Sequence, residues 1–185
     1  MSVIEPPVPD TVATGSYYAP HDVLGLHPDG TAGGVIRARR PLAASVTAVF
    51  ADGREVALEH VRAGIWEGAY RGDAGAYRIT ATYEGSTAYT ADDPYRCSTT
   101  IGELDLHLIR EGRHEQLWQV LGSHVREHEG VAGTSFAVWA PHAQAVRVAA
   151  DFNGWGGQSH SMRSMGASGG WGPFVPGGGA DRTYQ

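Results

Sequence analysis

The sequence predicts an all-β protein: two β-sandwich modules joined by a short helical linker, with the second module truncated. Three observations carry this. Short apolar runs alternate with polar residues, and turn signals recur every eight to twelve residues or so, the spacing of a sandwich. Gly (26) and Pro (10) make up about a fifth of the 185 residues, against an average of roughly 12 %. One order of features, strand–Pro–strand–turn–Trp strand–Gly turn–Tyr strand, occurs twice along the chain.

Residues 1–19 hold three prolines and no apolar period, and read as a flexible arm tethered near Tyr17 and Tyr18. His21 to Leu26 has the make-up of one helical turn. The first module, 20–100, opens with Val35–Arg39, which ends before Pro41. Ser45–Phe50 alternates polar and apolar, and Ala51-Asp52-Gly53-Arg54 carries the Asp-Gly hairpin signal. Val56 and Leu58, then Ile65–Tyr70 and Tyr77–Tyr83, continue the period of two. The linker, 101–129, differs: Leu117, Trp118, Leu121 and Val125 fit helical spacing, so a short helix is expected at about 113–121, ended near Gly122. The second module, 130–185, offers strands at Thr134–Ala140, Ala145–Ala150 and Trp171–Val175, the last weakened by Pro173, which removes a ladder donor.

The two halves align. Gly34-Val35-Ile36-Arg37-Ala38-Arg39-Arg40-Pro41 matches Thr134-Ser135-Phe136-Ala137-Val138-Trp139-Ala140-Pro141, with the prolines 100 positions apart. Trp66 and Trp171 are 105 apart, and Tyr77 and Tyr184 are 107 apart, which implies a small insertion in the second copy. The first copy continues for some twenty residues past Tyr77, whereas the second stops one residue after Tyr184. A strand end without its partner is costly if buried and adhesive if exposed. The expectation is therefore that the covered chain ends inside a domain of a longer polypeptide.

Charge and composition exclude several classes. The net charge is −6, and the densest basic run is Arg37, Arg39 and Arg40. This argues against nucleic acid and anionic membranes as partners and leaves room for a neutral carbohydrate. Cys97 is the single cysteine, as in a reducing compartment. No apolar run long enough to span a bilayer exists, and Met1–Asp10 lacks the make-up of a secretory signal, so a cytoplasmic location is expected.

Gly133-Thr134-Ser135-Phe136-Ala137-Val138-Trp139-Ala140-Pro141, Val146-Arg147-Val148 and Asp151-Phe152-Asn153-Gly154-Trp155 together resemble the family-48 carbohydrate-binding module (CBM48). That module precedes the catalytic barrel in α-amylase-superfamily branching and debranching enzymes. The flanks narrow the choice. Gly102-Glu103-Leu104-Asp105-Leu106-His107-Leu108, Leu121-Gly122-Ser123-His124 and Pro20-His21-Asp22-Val23-Leu24-Gly25-Leu26-His27-Pro28 resemble the N-terminal region of bacterial glycogen branching enzymes. The resemblance implies immunoglobulin-like sandwiches. It also implies a full-length enzyme that cuts an α-1,4 glucan and rejoins the piece in α-1,6 linkage, using an Asp nucleophile and a Glu acid/base on a (β/α)8 barrel. None of that barrel's motifs is present, and 185 residues cannot hold two sandwiches plus a barrel of ~250 residues. No catalytic residue carries over, no cofactor is implied, and the chain alone is expected to be inactive. Three departures stand out: Gly156 after Trp155, His160-Ser161-Met162-Arg163, and the proline in Trp171-Gly172-Pro173-Phe174. They keep two alternatives beside the non-catalytic front end, a stand-alone glycogen-binding adaptor and an inactive truncated relic.

Sugar recognition needs a flat aromatic face and nearby amide or carboxylate partners. Trp155 with Asn153 and Asp151 supplies that set for a weakly bound α-glucan; the competing reading is that Phe152 and Trp155 simply close a sandwich corner. In glycan-binding relatives a second aromatic follows the Tyr strand, which here would lie beyond Tyr184. The first copy has Gly85-Ser86-Thr87-Ala88-Tyr89 in that place, but no Trp at its corner, so neither copy holds a two-aromatic platform. Trp66 and Trp171 are expected in the core, and Trp139 at an interface with a neighbouring domain such as the catalytic barrel. His124 and His128 are four apart, yet no third ligand has suitable spacing, so no metal site is expected. Asp92-Asp93 before Pro94 reads as a turn rather than as paired acids.

Overall fold

The computed structural model describes residues 10–30, 32–153, 155, 160–177, 179 and 183–185. The first module contains seven antiparallel strands: β1 Gly25–Pro28, β2 Gly33–Arg39, β3 Ala43–Phe50, β4 Glu55–Arg62, β5 Ile65–Arg71, β6 Tyr77–Tyr83 and β7 Tyr89–Asp92. Their order is β1-β2-β5-β4-β3-β6-β7. Strand β4 turns the corner. Val56–Leu58 pair with β3, whereas Glu59–Arg62 pair with β5 after an irregularity between His60 and Arg62. The sheet thereby folds on itself. Ile36 and Ala38 of β2 and Trp66 and Tyr70 of β5 meet Val46, Ala48 and Phe50 of β3 and Tyr77, Ile79 and Ala81 of β6 in one buried cluster. The period of two in the sequence produces this: alternate residues of β3 are buried and their neighbours are not. Phe50 lies 5.8 Å, ring centre to ring centre, from both Tyr70 and Tyr77.

Asp93 answers the adjacent-acid question. It is fully buried, its Oδ1 accepts from the Tyr95 amide at 3.2 Å, and its Oδ2 accepts from the Tyr77 hydroxyl at 2.7 Å. It caps the 3-10 turn Pro94–Arg96, while Asp92 faces outward to Arg78 at 3.6 Å. The pair is a turn, as its residue types suggest.

The linker helix lies elsewhere than expected. Helix α2 spans Glu103–Arg110, and 113–121 holds only a 3-10 turn at Leu117–Gln119. Glu103 and Asp105 favour the positive N-terminal end of α2. Gly112, at φ 66°, stops it, with its amide donating to the Ile109 carbonyl and the Arg113 amide to that of Leu108. The helical spacing of Leu117, Trp118 and Leu121 reflects one closed turn, in which the Leu121 amide donates to Leu117 at 2.7 Å. Val125 belongs to a strand.

That strand, β8 Gly122–His128, pairs along its length with β9 Val131–Trp139, so part of the segment read as linker contributes to the second sheet. Glu129 (φ 51°) and Gly130 (φ 76°) form the two-residue turn between them, with the left-handed pair of angles that suits the strand twist. The remaining strands, β10 Arg163–Ser164, β11 Gly170–Gly172 and β12 Phe174–Pro176, complete the order β10-β11-β9-β12, with β8 on β9. The expected strand 171–175 is split at Pro173, whose carbonyl still accepts from Phe136 at 3.0 Å. The expected strand 145–150 is not regular. It makes isolated bridges, Arg147 to Ser161 and Ala150 to Tyr184.

The internal repeat appears as repeated bonding. The Trp66 indole donates to the Arg40 carbonyl at 3.1 Å, and the Trp171 indole to the Ala140 carbonyl at 3.0 Å. Each carbonyl immediately precedes the proline that ends the strand. Phe50 pairs with Tyr77, and Ala150 with Tyr184. Trp66 and Trp171 are both core residues, as their matched positions suggest. Replacing either by Phe keeps most of the buried area but removes one of the two bonds that each carbonyl accepts, the other coming from the Ala43 amide at 3.4 Å or the Ala143 amide at 3.1 Å. Each substitution is expected to cost about 0.5–1.5 kcal/mol, measurable by urea unfolding, with similar values for the two sites.

Residues 10–19 correct the expectation of a flexible arm; residues 1–9 lie outside the described residues. Helix α1, Asp10–Thr14, buries Val12 against Leu24, Ile65 and Tyr95. Arg39 of the first module donates through Nε and Nη2 to the Ala13 carbonyl at 2.9 and 2.6 Å. Arg147 of the second donates through Nε to the Gly15 carbonyl at 2.8 Å and through Nη2 to Ser16 Oγ at 2.9 Å. The Ser161 hydroxyl adds a bond to Gly15 at 3.2 Å, and the Ser164 amide one to Tyr18 at 2.9 Å. The segment is a strap bonded to both modules. Its order comes from distant side chains, which is why local composition does not betray it.

Candidate functional site

The corner after the irregular strand 145–150 is a 3-10 turn over Asp151–Asn153. Asn153 holds it together. Its Oδ1 accepts from the Ala150 amide at 2.9 Å, and its Nδ2 donates to the Val148 carbonyl at 2.7 Å. The same Nδ2 lies 3.2 Å from His160 Nδ1. The amide expected to meet sugar hydroxyls is thus committed to its own corner. Phe152 points inward, 6.5 Å from Phe136 and 5.2 Å edge-on from His160. Burial, with Arg40 nearby, pulls the His160 imidazole down to about 4, so it is neutral near pH 7.

Trp155 is presented differently. Its amide donates to the Ala150 carbonyl at 2.9 Å, and its backbone sits at φ 60°. A bulky residue there costs roughly 1–2 kcal/mol. The ring is 50 % exposed, so this strain is not spent on core packing. The corner thus divides its aromatics: Phe152 packs inward, and Trp155 is held partly out in solvent. Asp151 is exposed, and its amide donates to Thr183 at 3.1 Å.

The other candidates resolve structurally. His124 and His128 lie on β8, not on a helix. His124 Nε2 is 3.0 Å from the Leu121 carbonyl and His128 Nε2 is 3.2 Å from that of Ser98. Among the described residues no group of three or more His, Cys, Asp or Glu is gathered as for a metal ion. Arg37 and Arg39 are buried, so the densest basic run is not a surface patch. Cys97 is a buried free thiol. No helix among the described residues is long and apolar enough to cross a membrane. Trp139 is 56 % exposed, with its indole anchored on the Ser168 carbonyl at 3.1 Å.

Comparison with known proteins places this corner. Residues 8–95 match the family model of the alpha-1,4-glucan branching enzyme GlgB, N-terminal domain, and residues 120–185 match carbohydrate-binding module 48 (isoamylase N-terminal domain). The chain belongs, as an N-terminal region, to the 1,4-alpha-glucan branching enzyme family. It is 54 % identical over 98 % of its length to the 1,4-alpha-glucan branching enzyme GlgB of Leifsonia xyli subsp. xyli, covering 26 % of that protein. It is 47 % identical to that of Thermobifida fusca over 91 % of the chain and 48 % identical to that of Myxococcus xanthus over 90 %, covering 23 % of each. The chain therefore spans about a quarter of the length of the curated relatives it matches. Trp155 and its corner fall inside the carbohydrate-binding module match, and the strap and first sheet fall largely inside the GlgB N-terminal match.

Proposed function

We propose that this chain is the non-catalytic N-terminal part of a 1,4-alpha-glucan branching enzyme of glycogen metabolism, and that it holds α-glucan for the part that performs the transfer. The observation that carries the reading is Trp155: a strained, half-exposed indole held outward on a hydrogen-bonded corner, inside the module-48 match. Its ring offers the apolar face of a glucose unit a stacking surface. Asp151 supplies a hydroxyl acceptor beside it, and Asn153 contributes by fixing the corner. One ring gives weak binding. The full-length activity, α-1,6 branch formation, belongs in this reading to a catalytic barrel of the same polypeptide. Exposed Trp118, Trp139 and Val125 offer that barrel apolar contact. A cytoplasmic setting agrees with the single buried thiol at Cys97.

Retention on a glycogen affinity gel tests the reading. The chain is expected to be retarded, and Trp155→Ala to lose that retardation with an unchanged unfolding midpoint. The positive-φ cost at this position comes from the Cβ, which alanine keeps, and the lost ring is half exposed, so the fold is not expected to suffer. Passage of the unsubstituted chain without delay would falsify the glucan reading.

A further inference from the structure

A cleft of about 340 Å3 lies between the two modules. That is at the lower end of the ~300–1,000 Å3 of small-molecule sites. Arg40, Arg78, Tyr83 and Tyr89 line it from the first module, and Phe152 and Asn153 from the second. Tyr89 is 65 % exposed and Tyr83 is partly buried. Neither tyrosine hydroxyl has a hydrogen-bond partner among the described residues.

The charges in the cleft are balanced. Arg78 faces Asp92 at 3.6 Å, and both side chains remain partly open to solvent. Arg40 sits close enough to the buried Asp93 to favour that group's ionised form. An anionic ligand would have to compete with carboxylates already paired to these guanidiniums. A neutral ligand rich in hydroxyls would not: it can donate to Asp92, accept from Arg78 and lay its apolar ring face on an exposed phenol.

The first copy carries Tyr89 but no Trp at its own corner, and here that tyrosine shares a cleft with the corner that leads to Trp155 in the second copy. We propose that this cleft binds a short stretch of α-1,4-linked glucan, with Tyr89 as the stacking face and Arg78 and Asp92 as hydroxyl partners. The proposal rests on the glucan reading of Trp155 and extends it to a second site that spans both modules.

Titration of the 185-residue chain with maltoheptaose, followed by calorimetry and by the backbone amide resonances of Thr90 and Ala91, tests it. The unsubstituted chain is expected to show shifts at both amides. Tyr89→Ala is expected to weaken binding about tenfold and abolish those shifts. Tyr89→Phe, which keeps the ring, is expected to retain most of the affinity. Because Tyr89 is exposed, both variants should unfold at the parental midpoint. Trp155→Ala should leave the shifts at Thr90 and Ala91 in place. If Trp155→Ala abolishes all binding while Tyr89→Ala changes nothing, the corner is the site and the cleft proposal falls. If inorganic phosphate rather than maltoheptaose moves the two amides, the cleft is an anion site and the proposal also falls. If the unsubstituted chain binds no maltoheptaose, this proposal and the glucan reading fall together.

Discussion

Removal of residues 1–16 will lower the unfolding midpoint of the chain by roughly 10–20 °C and split its single transition into two. The magnitude follows from what the strap contributes. Val12 is 2 % exposed, and burying a side chain of that size is worth about 1.5–3 kcal/mol. The guanidiniums of Arg39 and Arg147 donate to strap carbonyls at 2.6–2.9 Å, and bonds to charged groups contribute about 1.5–3 kcal/mol each. Together that is on the order of 5 kcal/mol, and 1 kcal/mol moves the midpoint of a chain of this size by about 2–4 °C. The splitting follows from geometry, because Ala13 is held by the first module and Gly15 by the second. Once the strap is gone, the coupling left includes the bond from the Ser161 amide to the Tyr95 hydroxyl at 3.3 Å. Differential scanning calorimetry reads both effects. A single point variant, Arg147→Ala, should reproduce the splitting with a smaller shift. A truncated chain that unfolds in one transition at the parental midpoint would show that the strap does not join the modules.

The strap also marks where sequence reading fails. Strands β3 and β6 were legible because their burial alternates with the period of the backbone, and Ser45–Phe50 and Tyr77–Tyr83 each lie within or coincide with an observed strand. The strap has no such period: small residues and prolines surround one buried valine, and its partners lie far along the chain. Helix α2 escaped for the opposite reason. Leu104, Leu106 and Leu108 alternate like a strand, but Ile109 is the residue that the helix buries. The period-two pattern there is an accident of which leucines face solvent; Leu104 is 69 % exposed.

The corner was half legible. Residue types alone pointed to Trp155 and to Asn153, and the ring is indeed presented to solvent. What types could not show is the use of the Asn153 amide, which closes the turn through Val148 and Ala150. An asparagine beside an exposed indole reads equally well as a ligand or as a clamp, and only the backbone path decides. The cleft was less legible still. Tyr89 had its place in the repeat, but the fact that it shares a cavity with Phe152 and Asn153 depends on how the modules dock, and no local pattern encodes that.

The docking also sets the acid sensitivity of the chain. His21 and His160 are each held neutral by burial, which pulls their imidazoles down to about 3 and about 4; Arg163 and Arg40 act in the same direction. His21 packs edge-on against Tyr95 at 5.1 Å, and its Nδ1 is buried without a hydrogen-bond partner among the described residues. In the unfolded chain both rings protonate near their ordinary 6.5. Below that pH the unfolded state binds more protons than the folded one, so stability falls as pH falls. The loss continues to about pH 4 for His160 and about pH 3 for His21, where the folded rings also take up protons. At about 1.36 kcal/mol per pH unit and per group, the fall from pH 6.5 to 4.5 amounts to roughly 5 kcal/mol for the pair. Asp93 opposes it: burial raises its carboxyl, so the folded chain gains a proton there before the unfolded chain does. Asp52 and Glu129, whose carboxyls are lowered by hydrogen bonds from Arg54 and Ser98, add to the loss only at still lower pH. Urea unfolding at a series of pH values should therefore give a slope of nearly two protons between pH 6 and 5. His160→Gln and His21→Gln should each remove about one proton from it. A free energy of unfolding that stays flat from pH 6.5 to 5 would mean that both rings are already open to water and proton in the folded chain.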